Sequence, residues 1–329
     1  MNSLLQCFCH IEKFVNYFKY NQHVISMVRN NKNDLTSSFK LLIEKLWPNN
    51  YNESYSQKIY NPEEFKNKIS KMNPLLKEIV SNDAKDLINF IIITLHKELN
   101  KANKSNIKDN INLDQRNQQM MLNNFMQHFV LENQSIISDL FYGTNCNMIQ
   151  CSGCNTIFYN YQNYFFIEFS FEEVLKFKNN NNSINIYDCF DYDRKINLMN
   201  DENTMYCNYC KNKCIFKMCT YLTTGPEILI LLFNKGHKIE FNAKFNFFDN
   251  LDLSNYIEYK FTGFKYELIS VITYIYKNGI FEFAAYCKDP ISKSWIKYKD
   301  ASVSKVEAIE FQSQVINCSI PYFLFYQKS

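Results

Sequence analysis

The chain has 329 residues, 46% of them hydrophobic and 16% aromatic, and a formal net charge of +3. That length suits one large domain or two ordinary ones with a sizeable core, the small charge argues against nucleic acid as a partner, and no apolar run of about 18 residues is present to cross a membrane. Twelve cysteines are too sparse in so long a chain for a secreted disulfide framework, and Glu12 and Lys13 interrupt the first apolar positions, so no secretory signal is read; the expected setting is intracellular, cytoplasmic and/or nuclear, with reduced thiols.

In chain order, Ser3 and Gln6 have the spacing of a capping box, and Leu4, Phe8, Ile11, Val15 and Phe18 then recur at helical intervals. Leu35, Phe39, Leu42, Ile43 and Leu46 mark a second helix, ended before Pro48. Pro62 opens a third at its first helical position, with Phe65, Ile69 and Met72 on one face and Pro74 as its stop. A fourth runs from about Asp83 to Leu99, with Leu87, Ile91, Leu95 and Leu99 as its core stripe. Residues 100–119 are rich in Asn, Lys, Asp and Gln and read as a solvated loop or disordered insert. A fifth helix spans about 120–131, with Leu122, Phe125 and Phe129 turned inward.

After Phe141 the pattern changes to strand. Aromatic residues alternate over 164–171, and Asn179 to Asn182 form a polar break. A strand is expected near 216–221, and Gly225-Pro226 then turns the chain into Ile228–Phe233, a continuous apolar run suited to a central strand. Further strands are expected near 240–248, 264–276, 280–287, 295–299 and 320–327. Helices first and a long antiparallel β region after them make an α+β plan, without internal repeats.

Two C-x-x-C pairs stand out, Cys151 with Cys154 and Cys207 with Cys210. Two thiolates on one tight turn can hold one side of a tetrahedral zinc, and two such turns at the tips of β-ribbons make a closed, structural zinc ribbon. Gly153 inside the first turn offers a permissive backbone for the chain to curl round the ion. The intervening stretch, 155–206, is longer than the commonest spacing. Redox-active pairs and unliganded buried thiols are the competing readings. Cys146 and Cys214 lie near the pairs as spare or substitute ligands.

In this order and at these separations, several segments resemble the catalytic domain of the ubiquitin-specific proteases, the papain-like cysteine deubiquitinases. Met1-Asn2-Ser3-Leu4-Leu5-Gln6 resembles the tail of the family's nucleophile box, Gly-Asn-Thr-Cys-Tyr-Met-Asn-Ser-x-Leu-Gln. Asn82-Asp83-Ala84-Lys85-Asp86-Leu87 resembles the second box, Gln-Asp-Ala-His-Glu-Phe. Leu140 to Gly143, followed by Cys151 and Cys154, resembles the start of the zinc-bearing fingers, and Pro226 to Leu231 resembles the Pro-x-x-Leu-x-Leu strand. Tyr266-Glu267-Leu268 and Trp295 through Asp300 resemble the strands that carry the last two triad members.

The resemblance implies a papain-like fold with a helical thumb (1–142), fingers with the zinc ribbon (143–225) and an antiparallel β palm (226–329). It also implies ubiquitin or a ubiquitinated protein as partner, zinc as structural cofactor and a monomer. Asp83 and Asp86 would contact ubiquitin's basic tail, although Asp83 is equally suited to capping the fourth helix.

The catalytic pattern is broken. A cysteine protease needs a thiolate, a base and a group that orients the base. Aligned on the box, the cysteine falls two places before Met1. The His box, Gly-His-Tyr-x-Ala-Tyr in the family, reads Phe281-Glu282-Phe283-Ala284-Ala285-Tyr286, so Glu282 occupies the base's position; Asp300 matches the third member. A carboxylate there opposes formation of a nearby thiolate. Cys7 and Cys9 lie past the first helical turn and read as core or surface thiols, and His10 as a solvated side chain. Three functions follow: an inactive member of the family that binds ubiquitin or acts as a scaffold, an active thiol-dependent deubiquitinase whose nucleophile segment is missing from this sequence, or a zinc-ribbon interaction module with no ubiquitin role.

Overall fold

The computed structural model describes residues 1–29, 34–47, 60–77, 84–102, 114–179, 183–199, 204–234, 244–258, 264–277, 280–299, 301–316 and 320–329. The first part is helical: α1 (Asn2–Cys9), α2 (Glu12–Tyr20), α3 (Gln22–Arg29), α4 (Leu35–Leu46), α5 (Glu63–Met72), α6 (Ala84–Leu99), α7 (Gln118–Glu132) and α8 (Ile136–Phe141). The expected helical stripe over Leu4–Phe18 is buried throughout, but it belongs to two helices. The break has a local cause. His10 Nδ1 lies 2.7 Å from the Gln6 carbonyl, and the backbone N–H groups of His10 and Ile11 turn to the carbonyls of Cys7 and Phe8. The last turn tightens to i→i−3 bonding and ends there. The expected capping box is absent, because Met1 is the N-cap and no side chain caps α1. Pro62 likewise sits at the N-cap of α5 and not at its first helical position. The Asn-rich stretch falls mostly outside the described residues, and its end enters α7. Leu122, Phe125 and Phe129 of that helix are half-buried; Phe125 meets Tyr161 and Phe129 meets Tyr142.

The second part comprises β1 (Gly143–Cys151), β2 (Ile157–Tyr164), β3 (Ile167–Ser170), β4 (Ser183–Asn185), β5 (Asn197–Met199), β6 (Met205–Cys207), β7 (Asn212–Cys214), β8 (Phe216–Thr224), β9 (Ile228–Asn234), β10 (Lys244–Asn246) and β11 (Asn250–Asp252). The long strands β12 (Lys265–Lys277) and β13 (Ile280–Lys288) follow, then β14 (Trp295–Lys299), β15 (Ser302–Val306) and β16 (Pro321–Lys328). Besides a helical stretch over 308–316 between β15 and β16, two helices interrupt this region where strand alone was expected, α9 (Phe171–Lys178) and α10 (Ile186–Asp193). Each starts at a capping side chain: Ser170 Oγ accepts from Glu173 N, and Asn185 Oδ1 accepts from Tyr187 N and Asp188 N.

The main sheet has the order β15-β14-β13-β12-β16-β9-β3, with β11 paired to β12. It is antiparallel except at its β3 edge, where β3 runs parallel to β9. Both faces are covered, which explains the unbroken apolar run of β9. Ile228, Ile230 and Leu232 face a core shared with α1–α6 and α8, while Leu229, Leu231 and Phe233 face a second core with α9 and α10. β16 divides in the same way, Phe323 and Phe325 on one side and Leu324 and Tyr326 on the other. A separate sheet, β2-β1-β8-β5, carries the first cysteine pair, and the β6-β7 hairpin carries the second. A third small cluster forms there around Cys151, Cys207 and Phe216. Among the described residues no helix is long and apolar enough to cross a membrane.

Candidate functional site

The structure brings the four expected metal ligands together. The sulfurs of Cys151, Cys154, Cys207 and Cys210 all lie within 4.8 Å of one another. Each pair is a knuckle closed by the same backbone bond, Asn155 N to Cys151 O in one and Lys211 N to Cys207 O in the other, both 2.8 Å. The residue after each second cysteine is left-handed, Asn155 at φ 57° and Lys211 at φ 60°. These two residues turn the chain, so the role expected of Gly153 passes to them. Gly153 serves another need: a Cβ there would stand 2.6 Å from Cys214 Sγ.

The electrostatics of the knuckles divide the four thiols, lowering Cys154 and Cys207 and raising Cys151 and Cys210. The Thr156 hydroxyl, 3.2 Å from Cys154 Sγ, and the Thr156 N–H draw that thiol down to about 6. The N–H groups of Cys210 and Tyr209 lower Cys207, while burial raises Cys151. Four converging thiols with N–H donors aimed at the sulfurs fit a closed structural metal site with no open coordination position.

The second candidate region lies where α1 packs against β12, β13 and β14. Glu282 is on β13, and its Oε2 accepts from Lys299 Nζ at 2.6 Å. Both side chains are partly open to solvent, 42% for Glu282 and 41% for Lys299. Asp300, the residue after Lys299, lies outside the described residues, as does Asp83. Asp86 is exposed on the first turn of α6. Lys85 beside it pairs with Glu168 on β3, tying α6 to the edge of the main sheet.

Cys7 and Cys9 are fully buried, and burial holds both thiols well above their ordinary range. His10 is not a solvated side chain, as expected from its helix alone, but is 5% exposed. Its ring packs against Trp47 and Tyr298, and Tyr298 Oη lies 3.0 Å from Nε2.

Sequence reasoning missed Cys287 on β13, also fully buried. Burial works to raise that thiol, but contact with Cys7 and the charge of His10 outweigh it and pull it down. In return, the Cys287 sulfur raises His10 against the opposing effect of burial. The result is a cysteine–histidine cluster sealed inside the core. It has the residue types of a thiol hydrolase, but Cys7, Cys9 and Cys287 are each 0% exposed.

The comparisons with known proteins follow this geometry. The ubiquitin carboxyl-terminal hydrolase family profile matches residues 1–326. The chain is 24% identical over 343 aligned positions to ubiquitin carboxyl-terminal hydrolase 2 of Bos taurus, covering 99% of this chain and 53% of the relative. Against the Gallus gallus protein of the same name it is 25% identical, covering 89% of this chain and 80% of the relative. It therefore spans about half the length of the bovine relative. Among solved structures, a chain of the SAGA DUB module Ubp8/Sgf11/Sus1/Sgf73 bound to monoubiquitin superposes with a TM-score of 0.70 at 20% identity, covering 100% of this chain and 66% of that one. The same module bound to ubiquitin aldehyde gives 0.68 at 18% identity, with 100% and 67% covered. The match over nearly its whole length means that this chain belongs to the ubiquitin carboxyl-terminal hydrolase family.

Proposed function

We propose that this chain is a ubiquitin-specific-protease-type domain that binds ubiquitin or a ubiquitinated protein without cleaving it, with thumb (1–142), fingers (143–225) and palm (226–329) as its working parts. The observation that carries the reading is the Glu282–Lys299 ion pair at 2.6 Å, in the place of the family's base. A paired carboxylate cannot take a proton from a thiol near neutral pH, and its charge works against a thiolate beside it. A longer chain with a cysteine ahead of Met1 would meet the same obstacle at Glu282. Ubiquitin as partner rests on family membership and on the exposed Asp86 in the second box, suited to a basic peptide tail. The Ubp8 module structures were solved with monoubiquitin and with ubiquitin aldehyde, in line with this partner.

The four-cysteine cluster holds zinc in this reading, at about one ion per chain. When bound, zinc would cross-link the two knuckles, and its chemistry ends there. The test is calorimetric titration of ubiquitin into the purified chain, with metal content measured on the same sample, alongside a ubiquitin C-terminal electrophile probe. Saturable binding with no covalent adduct is expected. An adduct mapped to any cysteine overturns the inactivity, and absence of binding at millimolar ubiquitin leaves a zinc-ribbon module with no ubiquitin role.

A further inference from the structure

A fifth thiol stands against the four-cysteine cluster. Cys214 ends β7, and the β6–β7 pairing sets it opposite Met205 and folds it back over its own knuckle. Its sulfur lies 3.8 Å from Cys210 Sγ, much like the 3.9 Å between Cys154 and Cys207. Those are the sulfur–sulfur edges expected of a tetrahedron with metal–sulfur bonds of about 2.3 Å. Its position is fixed from the other side as well. Ser152 N–H donates to the Ile215 carbonyl at 2.9 Å, stitching this strand to the first knuckle. Gly153 leaves the space that the Cys214 sulfur fills, and a Cβ at Gly153 would sit 2.6 Å from that sulfur and 3.8 Å from Cys151 Sγ. Cys214 is therefore wedged between a ligand of the second pair and the turn of the first.

We propose that Cys214 is a reserve metal ligand that can replace Cys210. The inference rests on reading the four thiols as a zinc site. Four thiolates around a divalent ion already carry a net charge of about −2, so a fifth thiol would serve as a substitute for one of them and not as an added ligand. Exchange balances without any outside reagent. With a metal held there, Cys214 would take the place of Cys210 as the fourth ligand, and the proton given up by the thiol that binds would be taken up by the sulfur that is released. Ligand number and charge are unchanged. The site could then lose Cys210 to alkylation or oxidation and keep its ion.

The test compares zinc content and cobalt spectra of full-length wild type, Cys154→Ala, Cys210→Ala and the double variant Cys210→Ala/Cys214→Ala. Cys210→Ala is expected to keep about one metal per chain and a four-thiolate cobalt charge-transfer band. Cys154→Ala and the double variant should lose the metal under the same conditions. A Cys210→Ala protein as metal-poor as Cys154→Ala, or with a three-thiolate spectrum, overturns the proposal. Wild type without metal would instead overturn the zinc reading itself. Should Cys210→Ala not fold, iodoacetamide labelling of zinc-loaded wild type decides: label shared between Cys210 and Cys214 with metal retained supports exchange, and label on Cys214 alone refutes it.

Discussion

The knuckle cluster was expected to hold a structural metal and the α1–β13–β14 corner to keep only remnants of a catalytic triad, and the two differ in what each requires. The cluster needs sulfurs at one point, and two short turns supply them, each closed by its own 2.8 Å backbone bond. The corner needs groups whose proton affinities are tuned to one another, and those groups come from strands and helices far apart in sequence. In the corner the sulfurs are sealed in the core and the carboxylate is engaged by Lys299. A metal site is kept by local geometry. A site built from distant strands and helices depends on the whole of the packing around it.

The sharpest way to break that comparison is to remove the metal. Structural zinc contributes apparent binding energies of about 10–16 kcal/mol in small zinc domains, and here that energy would be confined to a small sulfur-rich cluster outside the two main cores. Cys154→Ala or strong chelation should release about one zinc and abolish hydrogen-exchange protection in β1, β6, β7 and β8. The amides of α4 and α6 should stay protected. Loss of protection in all of these together would show that the ribbon and the helical layer are one cooperative unit.

The corner should prove indispensable to stability, whatever its chemistry. Phe8 on α1 is fully buried and meets Phe14, Phe141 and Phe325 at centroid separations of 5.8–6.0 Å. Phe8→Ala is expected to cost about 3–5 kcal/mol in urea unfolding. His10→Ala comes next, at about 1–3 kcal/mol, because it strips partners from Tyr298 and the Gln6 carbonyl inside the protein. Costs below about 0.5 kcal/mol for both would mean that α1 is not part of the cooperative core.

The two regions also differ in how much of them the sequence made legible. The knuckles were readable because each pair lies within four consecutive residues, and only the pairing of two distant turns had to be inferred. The central strand β9 was readable because burial on both faces erases alternation. The helices α9 and α10 were missed because Phe171 read as the end of an aromatic strand and because the signals that start both helices are single caps, Ser170 and Asn185. His10 was misjudged from its own helix, whose geometry says nothing of Tyr298, 288 positions away. Cys287 had no local signal, since its environment is assembled from Cys7 and His10 across the α1–β13 contact.

The smallest effect concerns the pair of Glu282, read from the sequence as standing at the His position, and Lys299, whose contribution to folding should be slight. With side chains about four-tenths exposed, the pair gains little Coulomb energy that water and salt do not remove. A double-mutant cycle on Glu282→Gln and Lys299→Met should give a coupling of about 0.2–1 kcal/mol, shrinking as salt is added. Glu282→His should leave the ubiquitin electrophile probe unreacted, since Cys7, Cys9 and Cys287 remain buried and Lys299 would then sit beside the imidazole and oppose its protonation. A coupling above about 2 kcal/mol, insensitive to salt, would instead mark the pair as a structural clamp between β13 and β14. Glutamate would then have been retained for packing the sheet, and its place in the His box would need no reference to lost catalysis.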